Sequence, residues 1–98
     1  MTVVNPFDPA AVRKRLAWQT TRPLNGLLAA LHPADAAIDE MGNIICFSKH
    51  GDHASPYGWD IDHRHPKALG GTDHHLNLRA LACSTNRKLG GILGSMLR

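Results

Sequence analysis

With 98 residues the chain has room for one small domain, whose modest core would usually be reinforced by metals, disulfides or partners. Hydrophobic residues make up 43% and charged residues 19%, a balance that permits a globular fold and excludes a highly charged disordered tail. The formal charge of +3 suits a polyanionic partner without demanding one, and the apolar runs fall far short of the roughly 20 residues of a membrane span.

The segment MTVVNPFDP lacks a charged region followed by an apolar stretch, so no secretory signal is read there and a cytoplasmic protein with no membrane partner is expected. Cys46 and Cys83 form no CxxC pair and no zinc-ribbon spacing, and are expected as buried, unbridged thiols. Histidine is the anomaly. There are seven, six of them between His50 and His75, and imidazole is both the commonest metal ligand and a base near neutral pH.

In chain order, Asp8-Pro9 reads as an N-cap followed by proline at the first helical position. The helix AAVRKRLAWQ follows, with Val12 and Leu16 on one face and Arg13, Lys14 and Arg15 as a basic cluster, expected as a solvated face with contact to backbone phosphates as the alternative. Thr21 and Pro23 open a second helical segment, PLNGLLAALH. Its Leu24, Leu27, Leu28 and Leu31 recur at core spacing and are expected to be buried. Gly42-Asn43 signals a turn, and Ile44 to Phe47 is a short β-prone run. After the polar loop SKHGDHASP, Trp59 to His63 reads as a strand with Trp59 and Ile61 on one face. Pro66 and Gly70-Gly71 break the pattern into a second loop. Leu78 to Ala82 forms another strand, and Ser84 or Thr85 caps a final helix carrying Asn86, Arg87 and Lys88. Gly90-Gly91 ends that helix, and the tail ILGSMLR packs back on the body or reaches a partner.

The chemistry is concentrated in residues 57–91. Hydrolysis of a phosphodiester needs a base to take a proton from water and a cation to stabilise the growing charge. His63 is the candidate base. Asp62 beside it offers a hard carboxylate and Asn86 an amide oxygen, a set that suits Mg²⁺ or Mn²⁺ better than a closed Zn²⁺ site. Neighbours in a regular strand face opposite ways, so Asp62 and His63 share one site only if the strand ends or twists there. Asn77, at the end of the glycine-rich loop, has both a donor and an acceptor with which to tie loop backbone.

The ordered set IDHRHP, GGTD, NLRAL and NR resembles the HNH nuclease motif, with 14 residues from His63 to Asn77 and 9 from Asn77 to Asn86. The resemblance covers roughly residues 39–91. It implies an α+β fold with a small ββα-metal (HNH, His-Me finger) core preceded by N-terminal helices. The expected organisation is a helical segment at 1–38, the nuclease core at 39–91 and a tail at 92–98. It also implies His63 as general base, Asp62 and Asn86 as metal ligands, and Asn77 as support for the loop. The last motif position is asparagine rather than histidine, which shifts the expected metal toward Mg²⁺. The paired CxxC zinc ligands of many HNH proteins are missing.

The expected activity is metal-dependent hydrolysis of DNA, double-stranded as the first expectation. Arg64, Lys67, Arg87 and Lys88 are the candidates for contacts with phosphates, and Arg79 lies near them in sequence. Asp73 is expected to cap a turn or hold the loop, with metal binding as the alternative. The remaining histidines are read as loop residues, with an accessory metal at His74-His75 or around His50 and His53 as the alternative. A zinc site built from them is the best reading outside nuclease chemistry, and a catalytically silent module that binds nucleic acid or protein is the alternative function.

Overall fold

A computed structural model describes residues 7–86. The fold is mixed α+β with two antiparallel sheets. Helix α1 (Pro9–Trp18) starts where the sequence places it: Asp8 is the N-cap, its Oδ1 accepting from the Ala10 amide at 3.2 Å, and Pro9 occupies the first turn. Two threonines finish the helix. The Thr20 and Thr21 hydroxyls donate to the Ala17 and Trp18 carbonyls at 2.7 Å each, satisfying groups the helix end leaves open.

The first sheet holds β1 (Arg22–Pro23), β2 (Ala36–Ile38) and β3 (Ile44–Cys46) in the order β1-β2-β3. The second is a hairpin of β4 (Trp59–His63) and β5 (Leu78–Ala82), in register from Trp59 opposite Ala82 to His63 opposite Leu78. Residues 83–86 continue β5 directly into a helical stretch. Ser84 and Thr85 therefore lie inside that stretch rather than capping it. The Thr85 hydroxyl instead accepts from Asn43 Nδ2 at 2.9 Å.

The core forms where α1 lies across the hairpin. Ala17, Ile45, Trp59, Leu78, Ala80 and Ala82 are buried together, with Leu16, Trp18, Phe47 and Ile61 packed around them. Alanines at 17 and 80 let helix and sheet approach closely, and the Trp59 ring lies 5.1 Å from that of Trp18. Trp59 also donates its Nε1 hydrogen to the Phe47 carbonyl at 3.3 Å, so its one polar atom is satisfied inside the core. Truncating it to alanine would cost about 3–5 kcal/mol. Thr20 pins the helix to the sheet, because its hydroxyl also accepts from the Ala80 amide at 3.1 Å.

Asp39 is the buried charged side chain among the described residues. Its carboxylate accepts from the amides of Met41 and Asn43, in the β2–β3 turn, and from the Ala82 amide at 2.9 Å. One side chain thus shapes a turn in the first sheet and fastens it to the second. Burial of a carboxylate is tolerable here because backbone donors replace its water.

The leucine-rich segment departs from the sequence reading. Helix α2 is only Gly26–Leu31, because Arg22 and Pro23 are taken into β1 by pairing with Ile38 and Ala37. None of its residues is buried, and Leu27 and Leu31 are 73% and 66% exposed. Their helical spacing makes an apolar face, but the core is filled by α1 instead. Residues 7–38 contribute strands as well as helices, and β2 pairs with β3 across position 38/39. Cys46 and Cys83 are buried and not joined in a disulfide. No helix among the described residues is long and apolar enough to cross a membrane.

Candidate functional site

The hairpin divides its side chains by alternation. Trp59, Ile61 and His63 share the face covered by α1 with their partners Ala82, Ala80 and Leu78. Asp60 and Asp62 point the other way, with Leu81 and Arg79 opposite them. Pairing is regular through both Asp62 and His63, and the strand ends immediately after His63.

Beyond His63 the chain makes a loop of residues 64–77, closed at its neck by Asn77. The Arg64 amide donates to the Asn77 carbonyl at 2.8 Å. The Asn77 side chain then bridges the loop: Oδ1 accepts from the His65 amide at 2.7 Å, while Nδ2 donates to the carbonyls of His65 and Thr72 at 3.1 and 2.7 Å. The glycine pair explains how the loop closes so tightly. Gly70 has φ +94°, and a Cβ at Gly71 would stand 1.7 Å from the His65 carbonyl oxygen.

This closure brings Asp73 to His63, with Nε2 2.7 Å from Asp73 Oδ1. Lys67 Nζ is 3.2 Å from the same oxygen. The His63 hydrogen bond first, then Lys67, holds the Asp73 carboxyl below its ordinary pKa. An ionised carboxylate only accepts, so Nε2 carries the hydrogen, and Nδ1 of the neutral ring keeps a lone pair for a proton. His63 remains reachable, its side chain 22% exposed. A cleft of about 210 Å³ on this face is lined by Leu16, Gln19, Thr20, Arg64, His75, Leu76 and Leu78.

On the opposite face, Arg79 Nε donates to Asp62 Oδ2 at 2.7 Å, and Arg79 Nη1 lies 3.6 Å from Glu40 Oε2. Arg64 engages Glu40 with both terminal nitrogens, which holds Glu40 below and Arg64 above their ordinary pKa values. Asp62, Arg79, Glu40 and Arg64 thus form one network of alternating charge. Among the described contacts, none joins it to the His63–Asp73 pair. Asn86 is half-buried in the stretch 83–86, and no described contact links it to Asp62. Asp62 and Asn86 are hard oxygen donors of the type Mg²⁺ takes, and Arg79 occupies one of the two Asp62 oxygens.

The candidate phosphate contacts divide likewise. Arg64 is committed to Glu40 and Lys67 to Asp73, whereas Arg87 and Lys88 lie outside the described residues. The other histidines have local partners: His65 the Leu69 carbonyl, His32 the Tyr57 hydroxyl, His50 the Trp59 ring, and His74 the ring of His75. His53 differs, because with Asp60 and Cys83 it forms a group that could hold a metal, with ligand atoms within 4.8 Å of one another.

Sequence reasoning did not foresee Asp73 as the partner of His63, nor Glu40 as the second acceptor for Arg79. The signal for Asp73 was its place next to the loop's glycine pair. Glu40 gave none, since it meets the site only through the packing of the two sheets. Comparison with protein-family models, with curated proteins and with solved structures found no match to this chain.

Proposed function

We propose that the chain is a metal-dependent endonuclease that hydrolyses phosphodiester bonds in DNA, with β4, β5 and the helical residues 83–86 as the frame of a ββα-metal core. The observation that carries this reading is the His63–Asp73 pair, held on a loop that Asn77 closes. His63 Nδ1 takes the proton from the attacking water. Asp73 fixes the ring and balances the imidazolium that results. Asn77 keeps the loop, and with it Asp73, in place. Asp62 and Asn86 would hold Mg²⁺ or Mn²⁺, which when bound supplies positive charge for the phosphate and the departing 3′ oxygen. The basic pair Arg87-Lys88 would supply charge for the DNA backbone, joined by Lys67 and Arg64 where a phosphate displaces their carboxylate partners.

A second reading has one observation in its favour. Asp62 is paired with Arg79 on the face opposite His63, as expected of a module that binds nucleic acid or protein without turnover. Supercoiled plasmid separates the two. Nicking should require Mg²⁺ or Mn²⁺, stop with chelator, and be lost in His63→Ala. Metal-independent nicking, or equal nicking by the variant, overturns the enzyme reading, and DNA binding without cleavage supports the silent module.

A further inference from the structure

We propose that His53, Asp60 and Cys83 form a zinc site that ties the 47–58 loop to the hairpin and to the helical stretch 83–86. It stands apart from the proposed nuclease chemistry, since none of His63, Asp73, Asn77, Asp62 and Asn86 belongs to it.

The three donors come from three segments that the backbone already locks together. The loop is pinned in its first half by the Gly51 amide on the Trp59 carbonyl at 2.8 Å, and at its end by the Cys83 amide on the Gly58 carbonyl at 3.0 Å. Within it, Asp52 organises a run of turns: its carbonyl accepts from the Ser55 amide, and its carboxylate from Ala54. Gly58 is packed so closely on that turn that a Cβ would stand 1.9 Å from the Asp52 carbonyl oxygen. His53 is thereby carried over β4, its Nε2 3.0 Å from Asp60 Oδ2. Cys83, 3% exposed, stands where β5 gives way to helix.

The chemistry of the set selects the metal. A thiolate, an imidazole and a carboxylate together suit Zn²⁺, which in its open sites takes three protein ligands and keeps a water in the fourth tetrahedral position. Ligand atoms around such an ion stand roughly 3–4 Å apart, given bonds of about 2.0–2.3 Å. The present separations, none above 4.8 Å, need only a small contraction. Half of the His53 side chain is exposed, so the ring has room to make it. Mg²⁺ would not compete, because a hard cation takes oxygen donors and disfavours thiolate. Binding deprotonates Cys83, and the proton goes to solvent. The gain falls where a small core most needs it, because three segments then become one cross-linked unit.

Cobalt(II) titration of the purified chain tests this, followed by zinc competition. The expected result is one metal per chain, with a thiolate-to-cobalt charge-transfer band and the visible bands of tetrahedral cobalt, displaced by zinc and not by excess Mg²⁺. Zinc should also raise Tm. Cys83→Ser should lose the charge-transfer band. His53→Ala, an exposed change that leaves the fold intact, should weaken zinc binding by at least about 10-fold. Absence of the band in the wild-type protein, its survival in Cys83→Ser, or unchanged zinc affinity in His53→Ala would each overturn the proposal.

Discussion

His63 and Asp73 lie ten residues apart in sequence, yet Nε2 of one is 2.7 Å from Oδ1 of the other. The consequence is a fixed tautomer, with the hydrogen on Nε2 and the lone pair on Nδ1. Nitrogen-15 NMR reads this directly, since two-bond couplings to the ring protons distinguish the tautomers. The wild-type ring should show the Nε2–H form. Asp73→Ala should give a mixture, and its nicking rate should fall by about 10- to 100-fold, the usual cost of losing the group that orients a functional histidine. An unchanged coupling pattern in Asp73→Ala would remove Asp73 from the site.

Asn77 allows a sharper test, because its oxygen and nitrogen do different jobs. Asn77→Ala removes both, and should cost about 1–2 kcal/mol for three partly exposed hydrogen bonds. Asn77→Asp keeps the acceptor for the His65 amide but sets a carboxylate against the carbonyls of His65 and Thr72. Those oxygens disfavour the charged form, so the folded state raises that carboxyl's pKa, and stability falls as pH rises through its titration. Urea unfolding of Asn77→Asp should therefore improve on acidification relative to Asn77→Ala. Parallel pH profiles for the two variants would show that the amide nitrogen contributes nothing to loop closure.

What was legible in the sequence follows from how local each signal is. Helix α1 could be read from Asp8-Pro9 because a cap and its proline are adjacent. Strands β4 and β5 could be read because Trp59 and Ile61, or Leu78, Ala80 and Ala82, alternate along one face. The α2 leucines misled because periodicity reports an apolar face and not what covers it. Strands β1 and β2, of two and three residues, carry no alternation and exist only through pairing, β1 with β2 across the segment that holds α2 and β2 with β3 across the turn at 39–43. Within the site, Asn77 at a loop end was visible as a residue type with a job to do. The choice of Asp73 for His63, and of Arg79 for Asp62, depends on loop closure and strand register, which no short motif encodes. The same register sends Asp62 and His63 to opposite faces, a relationship their adjacency in sequence conceals.

Glu40 links that second face to pH. Arg64, and then Arg79, lower its pKa, so the folded state favours the carboxylate more than the unfolded chain does. Its contribution to stability is therefore present above the ordinary glutamate value of 4.5 and is lost as pH falls through the lower, folded-state value. Urea midpoints should drop more steeply with acid in the wild-type protein than in Glu40→Gln. The same variant probes the metal side of the proposed function. Glu40 is the other carboxylate within reach of Arg79, and without its charge the guanidinium stays on Asp62. The Mg²⁺ concentration for half-maximal nicking should then rise by roughly 2- to 5-fold, the equivalent of an ion pair worth at most about 1 kcal/mol. A Mg²⁺ requirement that does not move would mean that Arg79 and the cation do not compete for Asp62, and would place the metal elsewhere on the protein.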